Sequence, residues 1–553
     1  MKRRILSMLL VLMMLLTIMP TAAFAEETAD GVTYSYADGV LTVSGTGTCT
    51  NEWRNDLPWD TWTSVTDLII NEDITGIGQA AFGYLPKLKN ITIPASVTEI
   101  GPYAFQSCSG LESISWPSNV TRIEEGVLAS CSSLKSITIP ETVTYIGAGA
   151  FSGCTSLNEL TIPASVTYIG DSPCDRCTSL KTINVAEGNS AFSSVDGTLL
   201  RNYDGFKVLY QCPAGYEEAE YTVPEEVAEI NNSAFAGCNT IETINIGAGV
   251  YNIRQWAFRD CEKLSKITVA EGNSYFKVQN GALFQLKWSE VNEGVFKPTN
   301  ELEYLLKCVT NYDGVFEIPD GVIEISDCAF ENCSKLTGVT IPSSLDIIGQ
   351  MAFRNCDGLT DITIPGNVSG IWNYAFEGCS ILKKVVIQDG VTLLGSAAFI
   401  DCAKLEDITL PSTITTLYSG LFHGCSSLKS VIIPDGVEII DGGVFTNCTS
   451  LKNVTIPASV KMIGLYAFDY GDSGRQLDNV YFGGSSEQWK ALVGDYDVLN
   501  NFAKIVHYNY VAGQDHTVTN GVCSCGAYSA EHTHVYGDDG LCKYCGEQKP
   551  DTH

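Results

Sequence analysis

The chain has 553 residues and a formal charge of −31, from 33 basic and 64 acidic side chains. So large an acidic excess argues against nucleic acid or an anionic membrane surface as the main partner, because both are read by basic patches. Charged residues make up only 18% and hydrophobic residues 45%, which excludes a wholly disordered chain and leaves material for a large core.

The first residues read as an address. Lys2, Arg3 and Arg4 precede an apolar run from Ile5 to Met19, and Ala23-Phe24-Ala25 puts small residues where a signal peptidase reads. The run is shorter than the roughly 20 residues a membrane span needs. Residues 1–25 are therefore expected to be a secretory signal peptide, giving a mature chain from Glu26 with no membrane span. Residues 26–80 follow, with the hairpin-like GVLTVSGTG and with Trp53, Trp59 and Trp62. They are expected to form an N-terminal cap.

From residue 81 the chain repeats with a period of 23. Ala150 starts AFSGCTSLNELTIPASVTYIGDS, Ala352 starts AFRNCDGLTDITIPGNVSGIWNY, and Val444 starts VFTNCTSLKNVTIPASVKMIGLY. One cysteine keeps the register: Cys108, Cys131, Cys154 and Cys177, then Cys238 and Cys261, then Cys333, Cys356, Cys379, Cys402, Cys425 and Cys448. Nine of the eleven intervals are 23, and the other two are 61 and 72. Two insertions, near 186–222 and 270–316, thus interrupt one array spanning 81–466.

The period limits the shape. The alternation in L-x-x-I-x-I, rich in β-branched residues, predicts a strand. Pro94, Pro117, Pro140 and Pro163 end it, where a backbone donor is no longer needed. V-x-x-I-G predicts a second short extended segment and a turn. A-F-x-x-C is expected to return the chain through a short helical turn. One row is one coil of a β-rich solenoid, which cannot bury its apolar face alone and is stabilised by stacking along a parallel sheet. Exposed coil faces at the ends need caps, and residues 467–511, with NVYFGGSSEQW ending at Trp489, are expected to supply the second.

The rows, with their motif I-P-x-x-V-x-x-I-G-x-x-A-F-x-x-C, resemble the BspA-type leucine-rich repeats of bacterial surface proteins across about residues 31–510. The resemblance implies a leucine-rich-repeat superhelix, secreted or displayed at a cell surface and used for adhesion to host matrix proteins or other cells.

Twelve cysteines share one repeat position. In a secreted chain this invites a disulfide reading. Equivalent residues in adjacent coils, however, have parallel Cβ vectors about 4.8 Å apart, whereas a disulfide needs converging Cβ atoms about 3.8 Å apart. Leu85 holds the position in an earlier row. The ladder therefore reads as free thiols in small buried apolar packing. Cys174 and Cys177 make a C-x-x-C by phase alone, Cys174 replacing the repeat phenylalanine.

Between the two inward residues of each strand an outward threonine recurs: Thr92, Thr138, Thr161, Thr268, Thr340, Thr363, Thr409 and Thr455. The insertions carry hairpin-turn pairs and crowded aromatics. Tyr203, Phe206 and Tyr210 in the first, and Phe284, Trp288 and Phe296 in the second, are candidate ligand contacts. Hairpin packing explains the same residues equally well.

The six histidines are His423, His507, His516, His532, His534 and His553, so nothing before residue 423 serves as a histidine base. Gly471-Asp472-Ser473-Gly474 resembles a protease nucleophile motif, but Arg475 follows in place of the flanking Gly-Pro. That chemistry also needs a histidine and an aspartate set on a β-barrel. No catalytic residue is assigned, and no cofactor is required for the expected role. Residues 512–553 abandon the repeat. Cys523, Cys525, Cys542 and Cys545 form C-x-C…C-x-x-C, near zinc-ribbon spacing, with His516 and His534 as alternate ligands. A structural zinc, two disulfides or a disordered tail each fits these residues.

The expected function is contact between macromolecules: a secreted solenoid that binds protein or glycan ligands at host or microbial surfaces and catalyses nothing. A spacer or presentation scaffold without its own ligand is the alternative. A hydrolase using paired carboxylates is the weakest reading.

Overall fold

The computed structural model describes residues 24–27, 31–51, 62–292, 295–469, 477–493, 503–509, 518–519 and 522–523. The chain is a β-solenoid of stacked coils divided into two compact units. Unit 1 comprises residues 1–263 with 270–273, and unit 2 comprises 264–269 with 274–553.

Each coil carries two short strands. The first comes from L-x-x-I-x-I and pairs in parallel with its neighbours. In unit 1, Glu159–Ile162 lies against Thr182–Val185. In unit 2, Asp361–Ile364, Lys384–Ile387 and Asp407–Thr409 pair in turn. The register is 23, so Ile362, Val385 and Ile408 stack inward while Thr363 and Thr409 point out. The second strand comes from V-x-x-I: Arg122–Ile123, Tyr145–Ile146 and Tyr168–Ile169 are one parallel set. Between the strands, proline opens a tight turn closed by the valine amide, as in Val143 N–H to Pro140 O at 3.0 Å.

In several coils the residue before the inward valine or leucine bridges coils. Ser165 Oγ donates to Val143 O at 2.6 Å, Ser344 Oγ to Val322 O at 2.8 Å, and Asn367 Nδ2 to Leu345 O at 2.6 Å. Serine, threonine or asparagine two residues after proline was the sequence signal for this bond.

The expected helical turn at A-F-x-x-C is instead a pair of tight turns. The residue before each ladder cysteine is left-handed, with φ of 59° at Ser107, 58° at Asn355, 59° at Asn447 and 76° at Gly424. The residue before the Ala-Phe pair is left-handed too, with φ of 58° at Tyr103, 60° at Tyr374 and 66° at Gly420. Two left-handed residues this close interrupt any α-helical turn. Glycine, asparagine, aspartate and serine dominate the position before cysteine, as such a backbone favours.

The turns build the core. In unit 2, Phe330, Phe353, Phe376, Phe399, Phe422, Phe445 and Phe468 form one stack, with successive centroids 5.0 to 5.8 Å apart and rings within 15° of parallel. Truncating a ring in mid-stack leaves a cavity between two neighbours. Phe376→Ala is expected to cost about 3–5 kcal/mol in urea unfolding. A loss below about 1 kcal/mol would show that the stack is not a principal source of stability.

The cysteine ladder lies beside that stack and is fully buried, and the described cysteines from Cys49 to Cys448 are unpaired by disulfides. Each thiol also has a polar task absent from the sequence reading. Cys131 Sγ donates to Phe105 O at 3.2 Å, Cys356 to Phe330 O at 3.1 Å, and Cys425 to Phe399 O at 3.2 Å, each reaching into the previous coil. Cysteine combines a small apolar body with a weak donor. Cys174 sits buried in the phenylalanine slot beside Cys177.

Coil geometry extends beyond the cysteine spacing. Asp67–Ile70 pairs in parallel with Asn90–Thr92, and Val40–Gly45 pairs with Asp67–Ile70. An antiparallel hairpin, Val32–Ala37 with Val40–Gly45, precedes them, and Trp62 is buried nearby. In unit 2, Leu477–Phe482 and Ala503–His507 continue the parallel pairing from Asn453–Ile456. The helix Ser486–Val493 packs Trp489 against Phe482 with centroids 5.1 Å apart.

Both insertions are hairpins woven into the stack. In the first, Phe192–Val195, Thr198–Tyr203 and Phe206–Gln211 run antiparallel, and Phe206–Gln211 then pairs in parallel with Val227–Ile230. In the second, Phe276–Gln279, Ala282–Asn292 and Val295–Cys308 do the same, and Tyr304–Leu305 pairs with Glu324–Ile325.

Candidate functional site

The sequence-predicted contact aromatics divide by position along the hairpins. Tyr210 is buried, with its hydroxyl donating to Ile169 O at 2.6 Å, and Phe284 is fully enclosed. Neither faces a ligand, because alternation along the strand turns both inward. Tyr203 is exposed at the hairpin tip, stacked on Phe206 at 5.1 Å, with the Arg201 guanidinium 5.1 Å from its ring centroid. Trp288 is half-exposed and stacks on Tyr275 at 4.7 Å. Phe296 pairs through its backbone with Glu290, and its side chain lies outside what is described.

The tail residues His516, His534, Cys525, Cys542 and Cys545 lie outside the described residues, as do the side chain of Cys523 and the segment Gly471–Gly474. Among the described residues no group of three or more His, Cys, Asp or Glu side chains is arranged to hold a metal ion. His507 is buried, with Nε2 3.1 Å from Asn479 Oδ1 and its ring stacked on Tyr481 at 4.6 Å.

The two strand faces differ in chemistry. The first-strand face is polar. Thr92, Thr138, Thr161, Thr340, Thr363 and Thr409 are exposed. Beside them, charges pair between coils: Lys135 with Glu112 at 2.7 Å in unit 1, Lys429 with Glu406 at 2.9 Å and Lys504 with Asp478 at 2.7 Å in unit 2. Such exposed pairs contribute little to stability, and they neutralise the face locally.

The second-strand face carries the aromatic residues. In unit 1 the Arg122 guanidinium lies 3.7 Å from the Tyr145 ring centroid, and Tyr145 stacks on Tyr168 at 4.8 Å with planes 3° apart. Glu124 accepts from Arg122 Nε at 2.5 Å, a bond that holds the guanidinium proton more firmly. Next to this column is a groove of about 690 Å³ lined by Thr48, Gly78, Glu99, Asn119, Arg122 and Glu124. Gly76 keeps part of the neighbouring surface low, since a Cβ there would lie 2.6 Å from Thr48 Oγ1.

In unit 2 the same face carries Trp372, Tyr418, Met462 and Leu465, all exposed. None of these residues, nor Tyr145 or Tyr168, was singled out from the sequence. The available signal was departure from the coil pattern: Trp372 and Tyr418 stand where other rows have the glycine of V-x-x-I-G.

The family model for the BspA-type leucine-rich-repeat region matches residues 61–194, 215–302, 314–428 and 347–473. Among solved structures, a leucine-rich repeat protein from Eubacterium ventriosum is 20% identical, with 81% of this chain and 95% of that one covered and a TM-score of 0.40. A leucine rich cell surface protein from Faecalibacterium prausnitzii is 23% identical over 85% and 98% of the two chains, with a TM-score of 0.32. A leucine-rich repeat protein from Bacteroides ovatus is 26% identical over 87% and 99%, with a TM-score of 0.30. No curated protein sequence matches the chain. With more than half of its length matched in the register that its cysteines and phenylalanines keep, the chain belongs to the BspA-type leucine-rich-repeat family.

Proposed function

We propose that the protein is exported, stays at or near a cell surface, and mediates adhesion by binding other macromolecules. Candidate partners are host matrix proteins, mucins and neighbouring cells. Export rests on the basic, apolar and small-residue segments of residues 2–25. The observation that carries the binding role is the second-strand face. Aromatic and aliphatic side chains there remain exposed, outside an interior that the repeat's own apolar residues already fill. Isolated exposed apolar residues need no explanation, but a recurrent set on one face marks a contact surface.

The insertions contribute buried side chains such as Leu199, Tyr210, Phe284 and Leu305. Deleting them would open the core, so the test uses the intact chain. Purified residues 26–553 are expected to bind saturably to at least one member of a panel of matrix proteins, mucin and whole cells, read by surface plasmon resonance and cell pull-down. Absence of saturable binding across the panel would favour the spacer role.

A further inference from the structure

The exposed large apolar side chains of unit 2 are unevenly placed. Among the described residues Ile323, Trp372, Tyr418, Met462, Leu465 and Tyr466 lie on the second-strand side, against Val315, Ile381 and Ile432 elsewhere. Half-buried Ile347, Leu393 and Ile439 lie between them, beside exposed Ser369, Thr392, Thr415 and Ser419. Ile347, Gly370 and Leu393 are direct partners in one parallel set, and Thr416, Ile439 and Met462 in another.

Trp372 is held as a platform by two coordinated departures from the repeat. It replaces a glycine, since the flanking coils have Gly349 and Gly395 at its position. Its own coil has Gly370 at the outward strand position, where the neighbours have Ile347 and Leu393. A Cβ at residue 370 would lie 3.8 Å from Trp372 Nε1 and 3.6 Å from Leu393 Cβ. The indole therefore lies beside the bare glycine and is still 46% exposed. Packing alone gives no reason to leave so large an apolar surface in water.

Charge marks what covers it. The three central segments, 368–374, 391–397 and 414–420, contain no charged residue. Acids stand on both sides: Glu324, Asp327 and Asp346 before them, and Glu438 and Asp441 after them. Lys461 pairs with Glu438 at 2.7 Å, so those two are locally neutral and Asp441 carries the excess negative charge after the central segments. From the coil of Asp346 to that of Glu438 is four coil steps, about 20 Å at the usual strand spacing.

We infer that residues 322–466 present a docking strip, centred on Trp372, for a polypeptide segment whose apolar middle is bracketed by lysine or arginine. This rests on the proposed contact role and names its surface and the chemistry of its partner. Tryptophan is enriched among the anchors of such contacts, and the flanking acids supply orientation and rate.

The probe is a phage-displayed library of random peptides of about 15 residues, long enough to span the strip whether extended or helical, selected on residues 26–553. Enriched peptides are expected to carry an apolar centre with cations on both sides and to lose affinity at high salt. Trp372→Ala is expected to weaken them by about 30-fold. Ile432→Ser, an exposed change on the first-strand face, is expected to leave them unchanged. Both variants alter exposed side chains and should match the parent in circular dichroism. No enrichment, peptides lacking cations, or indifference to Trp372→Ala would each overturn the inference. Glycan-array binding abolished by Trp372→Ala would overturn the polypeptide assignment. Matrix-protein or cell binding that survives Trp372→Ala would remove this strip and leave the adhesion role standing.

Discussion

Between about pH 8.5 and pH 10 the protein is expected to lose its stability over a narrow interval, because of its buried cysteines inside and outside the ladder. Burial raises the thiols of Cys49, Cys131, Cys154, Cys328, Cys356, Cys402, Cys425 and Cys448 above their ordinary value, to about 12 at Cys49 and Cys448. Thiol–thiol hydrogen bonds, with burial, do the same for Cys174, Cys238 and Cys308. Below the unfolded value, near 8.5, these groups are protonated in both states and the stabilisation is intact. As pH rises past it, the unfolded chain releases protons and the folded chain does not, so stability falls until the folded values are reached. Each such thiol contributes about 1.4 kcal/mol per pH unit once the unfolded form is ionised. Eleven together give a slope on the order of 10 kcal/mol per pH unit, comparable with the whole stability of many domains. Urea midpoints measured at intervals from pH 7 to 10.5 read this directly. Replacing Cys356, Cys402 and Cys425 by valine should flatten the slope by about 4 kcal/mol per pH unit. Stability unchanged to pH 10.5, or a slope indifferent to that triple change, would sink the idea.

The second large effect concerns charges inside unit 2. Lys307, at the end of the second insertion, is 1% exposed, and its Nζ donates to Cys328 O at 2.9 Å and Glu331 O at 3.4 Å. The Glu331 carboxylate is fully buried and meets the Arg354 guanidinium at 2.9 Å. Removing one member of a buried pair strands its partner, so Glu331→Ala is expected to cost about 3–5 kcal/mol. Removing both charges with apolar residues of similar size, Glu331→Leu with Arg354→Met, should recover most of that loss. Urea unfolding of the two variants decides. A single change costing under about 1 kcal/mol, or a double change less stable than the single one, would show that the pair is not electrostatically coupled as described.

The repeat was legible because every coil must present the same side chains to the coils above and below it. Cys356, Cys379 and Cys402 repeat at 23 for the same reason that Phe353, Phe376 and Phe399 do: parallel stacking returns each position to its own equivalent. Proline and glycine marked the turns correctly. The A-F-x-x-C segment was harder, since the left-handed residues that lead into it include Tyr103 and Tyr374, side chains that carry no turn signal. The insertion aromatics were legible as a group but not one by one. Tyr203 and Tyr210 are seven residues apart on one hairpin, yet one is exposed and the other fills the core. Pattern alone did not say which neighbour each would meet.

The sequence by itself determined the solenoid, its 23-residue coil and the places where the period breaks, because periodic burial leaves a periodic record in residue type. Tertiary structure alone decided which face stays open and what stands on it. Arg122 over Tyr145 and Lys307 beside Glu331 unite residues from different coils. Proximity across coils depends on the stacking geometry, which no single row encodes.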